Sequence, residues 1–407
     1  MTSTSSGAAA PVDQQVGAGT IALTLGLTSL VQVVSSLVAL SVPVLAPAIA
    51  ADLHLNGELI GYYPGIMYSA ALAACIVGEP LSSRCGPMAR SLIAVAISVA
   101  GLGLLLVGVT PVFALAALVI GIGYGPVVPA TSQILSTQTP RKYSNLIFSF
   151  KQTAAPMGGI LAGLLVPLLI GLSGDWSGAI HWLIAGSVVA LVLMIPFAPR
   201  FDRMAVRATS SGMMGPIRAV LSHGSLRRLV MMSSCYGGMQ LCLGAFLTLY
   251  MVKVVGLGLV EGGMIFGAAQ GASVVGRLLW GYVADRFLSP APLMVALGVA
   301  MAVGAVLVTL CGPETPMWLL IVISVFYGGT AMGWNGVLIA ETARLSPPGQ
   351  VSLMTSGVMS ANFAGVIVGP LFFSLIAGLF DTLRAGFIAM AILTVFCASF
   401  GLVQRRA

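Results

Sequence analysis

The sequence predicts an all-α membrane protein with twelve transmembrane helices, arranged as two six-helix bundles related by pseudo-twofold symmetry. Composition is the first reason: 58% of the 407 residues are hydrophobic and 7% are charged, against about 25% charged residues in typical soluble domains. Long apolar runs are the second, because roughly 20 such residues span a bilayer as a helix. A repeat between the two halves is the third. A β-barrel is not favoured, because the runs do not alternate.

The predicted spans divide the chain into four segments. These are a disordered cytoplasmic tail (1–19), an N-terminal six-helix bundle (20–199), a basic cytoplasmic linker with a short interfacial helix (200–226) and a C-terminal six-helix bundle (227–407). The spans lie near residues 20–50, 57–82, 89–109, 112–138, 143–171, 177–199, 227–251, 259–284, 290–311, 316–343, 350–378 and 383–403.

The basic residues in the loops and at the ends of the spans predict the orientation. Only Lys253 and Arg384 fall on one side, whereas fourteen fall on the side of the termini. Because Lys and Arg accumulate in cytoplasmic loops, both termini are expected to be cytoplasmic, in a bacterial-type cytoplasmic (inner) membrane. The net charge of +7 is explained by these loops, and we expect no nucleic-acid partner.

The residues for enzyme chemistry are scarce. Six cysteines lack CxxC spacing and lie mostly in apolar runs, so we interpret them as buried free thiols rather than disulfides or metal ligands. Three histidines form no HExxH motif. We therefore expect no metal, no cofactor and no enzymatic activity.

Matching loops mark the repeat. Gly281, Asp285 and Arg286 follow span eight, and Arg84 and Gly86 follow span two at the corresponding place. Glu79 and Ser83 stand where the second copy has its glycine and aspartate. Such a six-plus-six repeat is typical of transporters that move two bundles about a central site.

At these loops the chain resembles the major facilitator superfamily, whose pattern there is G-x-x-x-D-R-x-G-R/K-R/K. The resemblance covers residues 20–403 and implies alternating access. It also implies a gating role for the residues of both loop copies that match this pattern, which are Gly281, Asp285, Arg286, Arg84 and Gly86.

Two spans refine the resemblance. Span five, with Lys151 and Pro156, resembles cyanate-type organic-anion porters. Span eight, with Gly276 and Arg277, resembles the oxalate:formate antiporter and monocarboxylate transporter branch, which implies that Arg277 binds a substrate carboxylate. Proton-coupled members often carry an acid where this chain has Ser273, so the resemblance supplies no proton carrier.

Lys151 and Arg277 are the two cations that fall deep inside predicted spans, away from the span ends. Both lie about eight or nine residues from the inner ends, which is roughly 12–14 Å deep at 1.5 Å per residue. No span carries an acid at that depth. A charged residue inside a membrane indicates a functional site, and two at matching depth predict an anion held between the bundles. For Lys151, snorkelling or a neutral amine in an apolar pocket is the alternative.

Further polar and aromatic side chains in the spans are candidates for the same site. Gln270, Ser273 and Trp280 share a helix face with Arg277, because they are three or four residues apart. Phe148 and Gln152 flank Lys151. The remaining candidates are Gln32, Tyr62, Tyr124, Gln240, Trp334, Asn335 and Asn362. For each, a hydrogen bond between helices is the alternative.

The sequence therefore predicts a secondary active transporter that moves a small organic anion, best matched by a monocarboxylate, by alternating access. Co-transport of a proton stays open. The alternatives are an exchanger for a dicarboxylate or cyanate-like anion, and a non-transporting membrane receptor on the same fold. The expected partners are the anion and the lipid bilayer, and the expected state is a monomer.

Overall fold

A computed structural model describes residues 17–52, 63–77, 85–204 and 214–400. Within these ranges the chain is helical, without a β-strand, which confirms the predicted all-α class. The α-helices are α1 (Ala18–Asp52), α2 (Tyr63–Val77), α3 (Pro87–Leu104), α4 (Thr110–Tyr124), α5 (Val127–Gln138), α6 (Ser144–Ser173), α7 (Trp176–Met194), α8 (Ala198–Met204), α9 (Gly215–Ser222), α10 (Gly224–Lys253), α11 (Leu259–Arg286), α12 (Pro290–Leu310), α13 (Met317–Ala331), α14 (Asn335–Leu345), α15 (Val351–Leu379) and α16 (Leu383–Ser399).

The helices are those of a multi-pass membrane protein. In the part of the chain that the structure describes, nine helical segments are long and apolar enough to cross a membrane. The apolar helices α2 and α16 are shorter, at 15 and 17 residues. Helix α11 has 28 residues and contains Arg277. The division into twelve spans, and the limits of the two bundles and the linker, stay predictions.

Two of the predicted spans are each built from two helices. Helices α4 and α5 are separated at Gly125 and Pro126, and α13 and α14 at Met332–Trp334. The sequence analysis treated each pair as one continuous span. Proline has no N–H for the helical ladder, which accounts for the first interruption. Such interruptions leave backbone carbonyls free to accept other hydrogen bonds.

Glycines allow the helices to approach closely. A Cβ at Gly158 of α6 would collide with the Val33 carbonyl and Ser36 of α1, and one at Gly365 of α15 with the Ser234 carbonyl of α10. Because apolar side chains gain little by leaving lipid, membrane helices associate through such close contacts. The pairs α1–α6 and α10–α15 therefore pack with their backbones near each other.

The two halves of the chain are packed against each other. One apolar cluster lies within the first half. The other cluster contains most of the buried apolar residues of the second half, together with Cys75, Val128 and Phe148 of the first half. Large apolar side chains such as Leu164 and Val275 are exposed on the outside, at 67% and 66%, as expected for a surface that faces lipid.

The structure does not agree with the interpretation of all six cysteines as buried free thiols. The structure joins Cys235 of α10 to Cys397 of α16 as a disulfide, and Cys85 is exposed. The disulfide was not anticipated, because the two positions are 162 residues apart and only the packing of these two helices makes them neighbours. Cys75, Cys242 and Cys311 are buried and free, as expected.

Candidate substrate-binding site

Lys151 lies on α6 and is fully buried. Its Nζ donates hydrogen bonds to Oε1 of Gln32 on α1, at 3.1 Å, and to Oε1 of Gln152, at 3.2 Å. Gln32 is itself held by a 3.3 Å bond from its Nε2 to Ser36 Oγ. An ammonium group has three N–H donors, so these two neutral oxygens leave one donor for a ligand.

Arg277 lies on α11 and is 5% exposed. Its Nε donates to the Met332 carbonyl at 3.0 Å, and its Nη1 donates to the Gln152 carbonyl at 2.8 Å. The first acceptor lies in the interruption between α13 and α14. The second lies in the other half of the chain. A guanidinium has five N–H donors, so three are left.

Pro156 explains why the Gln152 carbonyl can accept this bond. In an α-helix the carbonyl of residue 152 would accept from the N–H of residue 156, and a proline there has none. Helix α6 continues through Pro156, and the freed carbonyl is satisfied by Arg277. A proline on one half therefore creates the acceptor for a cation on the other.

Gln152 brings the two cations together. Its side-chain oxygen binds Lys151 and its backbone oxygen binds Arg277. Neither cation forms an ion pair with an acidic residue in the described ranges. Side-chain oxygens bind Lys151 and backbone carbonyls bind Arg277, and all of these acceptors are neutral. A charge at the centre of a membrane costs about 2.5–3.5 kcal/mol on insertion scales. The site therefore has an unbalanced positive charge that suits an anion.

Three aromatic rings pack together where the two halves meet, and we call them the aromatic cluster. Tyr68 of α2 and Tyr124 of α4 come from the first half, and Phe363 of α15 comes from the second. The ring centroids are 5.8 Å apart for Tyr68 and Phe363 and 6.3 Å apart for the other two pairs. Of the three rings, that of Tyr124 lies in the neighbourhood of Arg277. The cluster therefore provides apolar ring surface in the region of this cation.

Gln240 and Asn335 extend the polar site on the second half. Asn335 Nδ2 donates to Gln240 Oε1 at 2.9 Å and approaches the Met332 carbonyl at 3.4 Å. Because that carbonyl also accepts from Arg277, these two amides belong to the same hydrogen-bond network as the cation. Both had been predicted as site residues from their position in spans alone.

Other predicted residues have partners within their own half. Ser273 donates to the Gln270 carbonyl, and Gln270 is exposed. Trp280 donates from Nε1 to the Gly329 carbonyl at 2.8 Å. These bonds fix neighbouring turns and helices, and in the structure none of the three side chains hydrogen-bonds Lys151 or Arg277.

The remaining candidates are packed in the helix interfaces. Trp334 is fully buried and donates to the Ala331 carbonyl. Asn362 donates to the Ser233 carbonyl at 3.1 Å, and Phe148 lies in the apolar cluster of the second half. Tyr62 lies outside the described residues. The sequence analysis missed Tyr68, Phe363 and the Met332 carbonyl, for which no charge or motif gave a signal.

Asp285 joins the end of α11 to the start of α6. Its Oδ1 accepts from the backbone N and Nδ2 of Asn145 at 3.1 and 2.8 Å, and its Oδ2 accepts from the Leu146 N at 2.8 Å. The first N–H groups of a helix have no partner within it, so a carboxylate there is both a hydrogen-bond acceptor and a favourable charge. This contact crosses between the halves.

Gly281 permits that close approach. A Cβ at this position would lie 2.5 Å from Ser149 Oγ and 2.9 Å from the Asn145 carbonyl of α6. Arg286, the other predicted gating residue of this loop, is exposed, and its side chain forms no hydrogen bond within the described ranges. Arg84 lies outside those ranges.

The corresponding place in the first half is built differently. Gly86 faces Asp202 of its own half, whose carboxylate accepts from the backbone N of Met88 and Ala89 at 2.8 and 3.3 Å. Arg90, four residues further on, contacts the second half, because its Nη1 donates to Ser352 Oγ at 3.3 Å. Arg90 also donates to Gln133 Oε1.

These features define a multi-pass helical membrane protein with a positively charged site where its two halves meet. The family model of the Major Facilitator Superfamily matches residues 28–342. The chain therefore belongs to that superfamily, a family of transporters, which confirms the predicted resemblance and the expectation that the protein is not an enzyme.

The sequence identity between this chain and individual members or structural neighbours is low. The benzoate transport protein of Acinetobacter baylyi is 22% identical over 346 residues, which cover 75% of this chain and 72% of that protein. A crystal structure of the E. coli fucose:proton symporter is similar with a TM-score of 0.72 and 13% identity, covering 95% of this chain and 100% of the other. The human organic anion transporter MFSD10 gives a TM-score of 0.75 and 15% identity, covering 94% and 99%. The two structural likenesses show the fold alone.

Proposed function

We propose that this protein is a secondary active transporter that carries a small organic monocarboxylate across the membrane by alternating access. The observation that carries the proposal is the convergence of Lys151 and Arg277 on Gln152. The proposal includes the predicted two bundles, a monomer without a cofactor, and cytoplasmic termini in a bacterial-type inner membrane.

The free donors around Gln152 match a carboxylate. A guanidinium presents a planar pair of N–H groups that fits two carboxylate oxygens, and an ammonium adds a compact charge. Arg277 keeps three N–H donors and Lys151 keeps one, beyond the bonds they already make. Because their present acceptors are neutral, a bound carboxylate would supply the missing negative charge.

The location of the site supports its coupling to alternating access. Arg277 belongs to the second half and Gln152 to the first, so their bond must break or rearrange if the halves separate at this level. In the proposed cycle the carboxylate binds between both cations. Its single negative charge reduces the net charge of the site from +2 to +1 and thereby lowers the cost of burying the site during the transition between the two open states.

Aromatic monocarboxylates are the first substrates to test. The aromatic cluster of Tyr68, Tyr124 and Phe363 provides ring surfaces beside the cations, and aromatic groups attract each other in tilted and edge-on arrangements. A relative of this chain is named as a benzoate transport protein. A benzoate-sized anion could place its carboxylate on the cations and its ring against the cluster.

Exchange of dicarboxylate or cyanate-like anions is the second candidate. The presence of two cations favours it, because each could bind one end of a doubly charged anion. Co-transport of a proton stays open as well. Uptake driven by a pH gradient would indicate symport, whereas uptake that requires unlabelled anion inside the vesicles would indicate exchange.

The test is uptake of labelled benzoate, acetate and oxalate into proteoliposomes that contain the full chain. We expect Arg277→Gln and Lys151→Gln each to reduce uptake of the preferred anion about tenfold or more, the equivalent of ~1.4 kcal/mol of lost binding. Lys253→Gln, which removes an exposed cation at the end of α10, is the control. Uptake by Arg277→Gln at the wild-type rate would reject the proposed site. Binding without uptake in any condition would favour the receptor alternative.

A further inference from the structure

A positively charged cavity, separate from the proposed substrate site, lies at the end of the second half where α10 and α12 begin and α14 ends. Its volume is about 160 Å³. We call it the basic cavity, and its lining includes Ser225, Arg228, Ala291, Glu341 and Arg344. None of these residues belongs to the proposed substrate site.

The two arginines of the basic cavity differ in their partners. Arg344 is neutralised by Glu341, which accepts from its Nε and Nη2 at 2.6 Å each. Arg228 forms no ion pair within the described residues. Its Nη2 has a weak contact with Ser225 Oγ at 3.4 Å, and its Nε is buried without a hydrogen-bond partner. A buried donor without a partner is costly, and Nη1 of Arg228 also has no hydrogen-bond partner within the described residues. Because a guanidinium has five N–H donors, Arg228 keeps donors for an acceptor in the cavity.

Two long helices begin at this cavity. Helix α10 starts at Gly224 and has no side-chain cap, so the N–H groups of its first turn, next to Arg228, have no partner within the helix. Helix α12 also lacks a side-chain cap and begins Pro290-Ala291-Pro292. Because proline has no N–H, Ala291 carries the only N–H among these three residues, and Ala291 lines the cavity.

We propose that the basic cavity binds a phosphate group, presented either by a phospholipid headgroup or by a soluble phosphate. A cavity with an unpaired guanidinium, a hydroxyl and two helix N-termini offers donors from several directions, which suits the several oxygens of a phosphate. The net charge of Arg228, Arg344 and Glu341 is +1. This proposal does not depend on the nature of the transported substrate.

The residues around the basic cavity favour a lipid headgroup as the source of the phosphate group. The short helix α9 next to α10 buries Pro216 and Val220 and exposes Arg218, and Phe287 before α12 is 73% exposed. The cavity lies at the predicted cytoplasmic end of the helices, where anionic headgroups attract basic segments by about 1 kcal/mol per residue. Inorganic phosphate can reach the same end from solution.

The test measures phosphate binding by the full chain in two arms. In the first, inorganic phosphate is titrated into detergent-solubilised protein, with chloride at equal ionic strength as the reference, and thermal stability is followed. In the second, native mass spectrometry counts phosphatidylglycerol bound to protein released from nanodiscs. We expect Arg228→Gln to weaken binding about tenfold in at least one arm and Arg227→Gln, an exposed neighbour outside the cavity, to leave it unchanged.

A second variant keeps the proposal testable if Arg228→Gln does not fold. Ser225→Asp keeps both arginines and places a carboxylate next to Arg228, so it should occupy the site and abolish binding. A loss in the lipid arm alone identifies a headgroup, and a loss in the phosphate arm alone identifies a soluble phosphate. Equal behaviour of Arg228→Gln and Arg227→Gln in both arms, or unchanged binding by Ser225→Asp, would overturn the proposal.

Discussion

The guanidinium of Arg277 donates a hydrogen bond to the backbone carbonyl of Gln152 at 2.8 Å, and thereby ties the second half of the chain to the first. The same glutamine holds the ammonium of Lys151 through its side chain. One residue therefore contacts both cations, and its backbone oxygen is available because Pro156 has no N–H to donate to it.

We predict that Pro156→Ala weakens substrate binding without destabilising the fold. Alanine restores an N–H that competes with Arg277 for the Gln152 carbonyl, and it removes a proline from a helix interior. The half-saturating substrate concentration should rise several-fold, while thermal stability stays equal or increases. The control is Pro167→Ala on the same helix, because the carbonyl freed there is that of Gly163. Equal effects of the two variants would contradict this role for Pro156.

We predict that Gln152→Glu abolishes anion binding. The change is nearly isosteric, and it puts a carboxylate next to Lys151, where the structure has a neutral oxygen 3.2 Å from Nζ. The internal carboxylate would satisfy the cations in place of the substrate, so thermal stability should rise while uptake falls about tenfold or more. Gln270→Glu, on the exposed side of α11, is the matched control. Normal uptake by Gln152→Glu would show that the anion binds elsewhere.

The sequence predicted the two cations but not the way they are held. Counting residues from the span ends placed Lys151 and Arg277 at one depth, because helix rise is regular. The Gln152 contact follows from Pro156, a signal present in the sequence but not used. The aromatic cluster could not be derived, since Tyr68 and Phe363 are ordinary apolar residues of their spans until the halves are assembled.

The two copies of the loop pattern show the same limit of prediction from sequence. The second copy of the loop pattern led to Asp285, and the structure gives it a contact with the start of α6. The first copy pointed to Arg84, which lies outside the described residues, and to Gly86, which faces Asp202 of its own half. A nearby residue that does reach the second half is Arg90, which contacts Ser352. These two residues are 262 positions apart, and a local motif carries no information about such a pair.

We predict that Asp285→Asn shifts the protein towards conformations that are open at this end. The carboxylate loses its charge next to the first turn of α6, an interaction worth about 1 kcal/mol, and the lost contact is one between the halves. Asp175→Asn is the control, because Asp175 caps α7 through Gly178 N within a single half. The distance between a spin label at the start of α6 and one at the end of α11 should change for Asp285→Asn alone. A shift of the same size in Asp175→Asn would refute the gating role.

We predict that Gly281→Ala separates the halves at the same place by steric means. The added methyl would lie 2.5 Å from Ser149 Oγ and 2.9 Å from a backbone oxygen of α6, so helices that now touch must move apart, at about 1–3 kcal/mol for overpacking. Gly271→Ala on the same helix meets nothing within 4 Å and is the control for helix propensity. We expect Gly281→Ala to slow uptake severalfold and to increase labelling of a cysteine introduced at Ser149, while Gly271→Ala leaves both unchanged. If Gly281→Ala transports normally with unchanged labelling, the close packing of α6 and α11 is not required for closing this end of the protein.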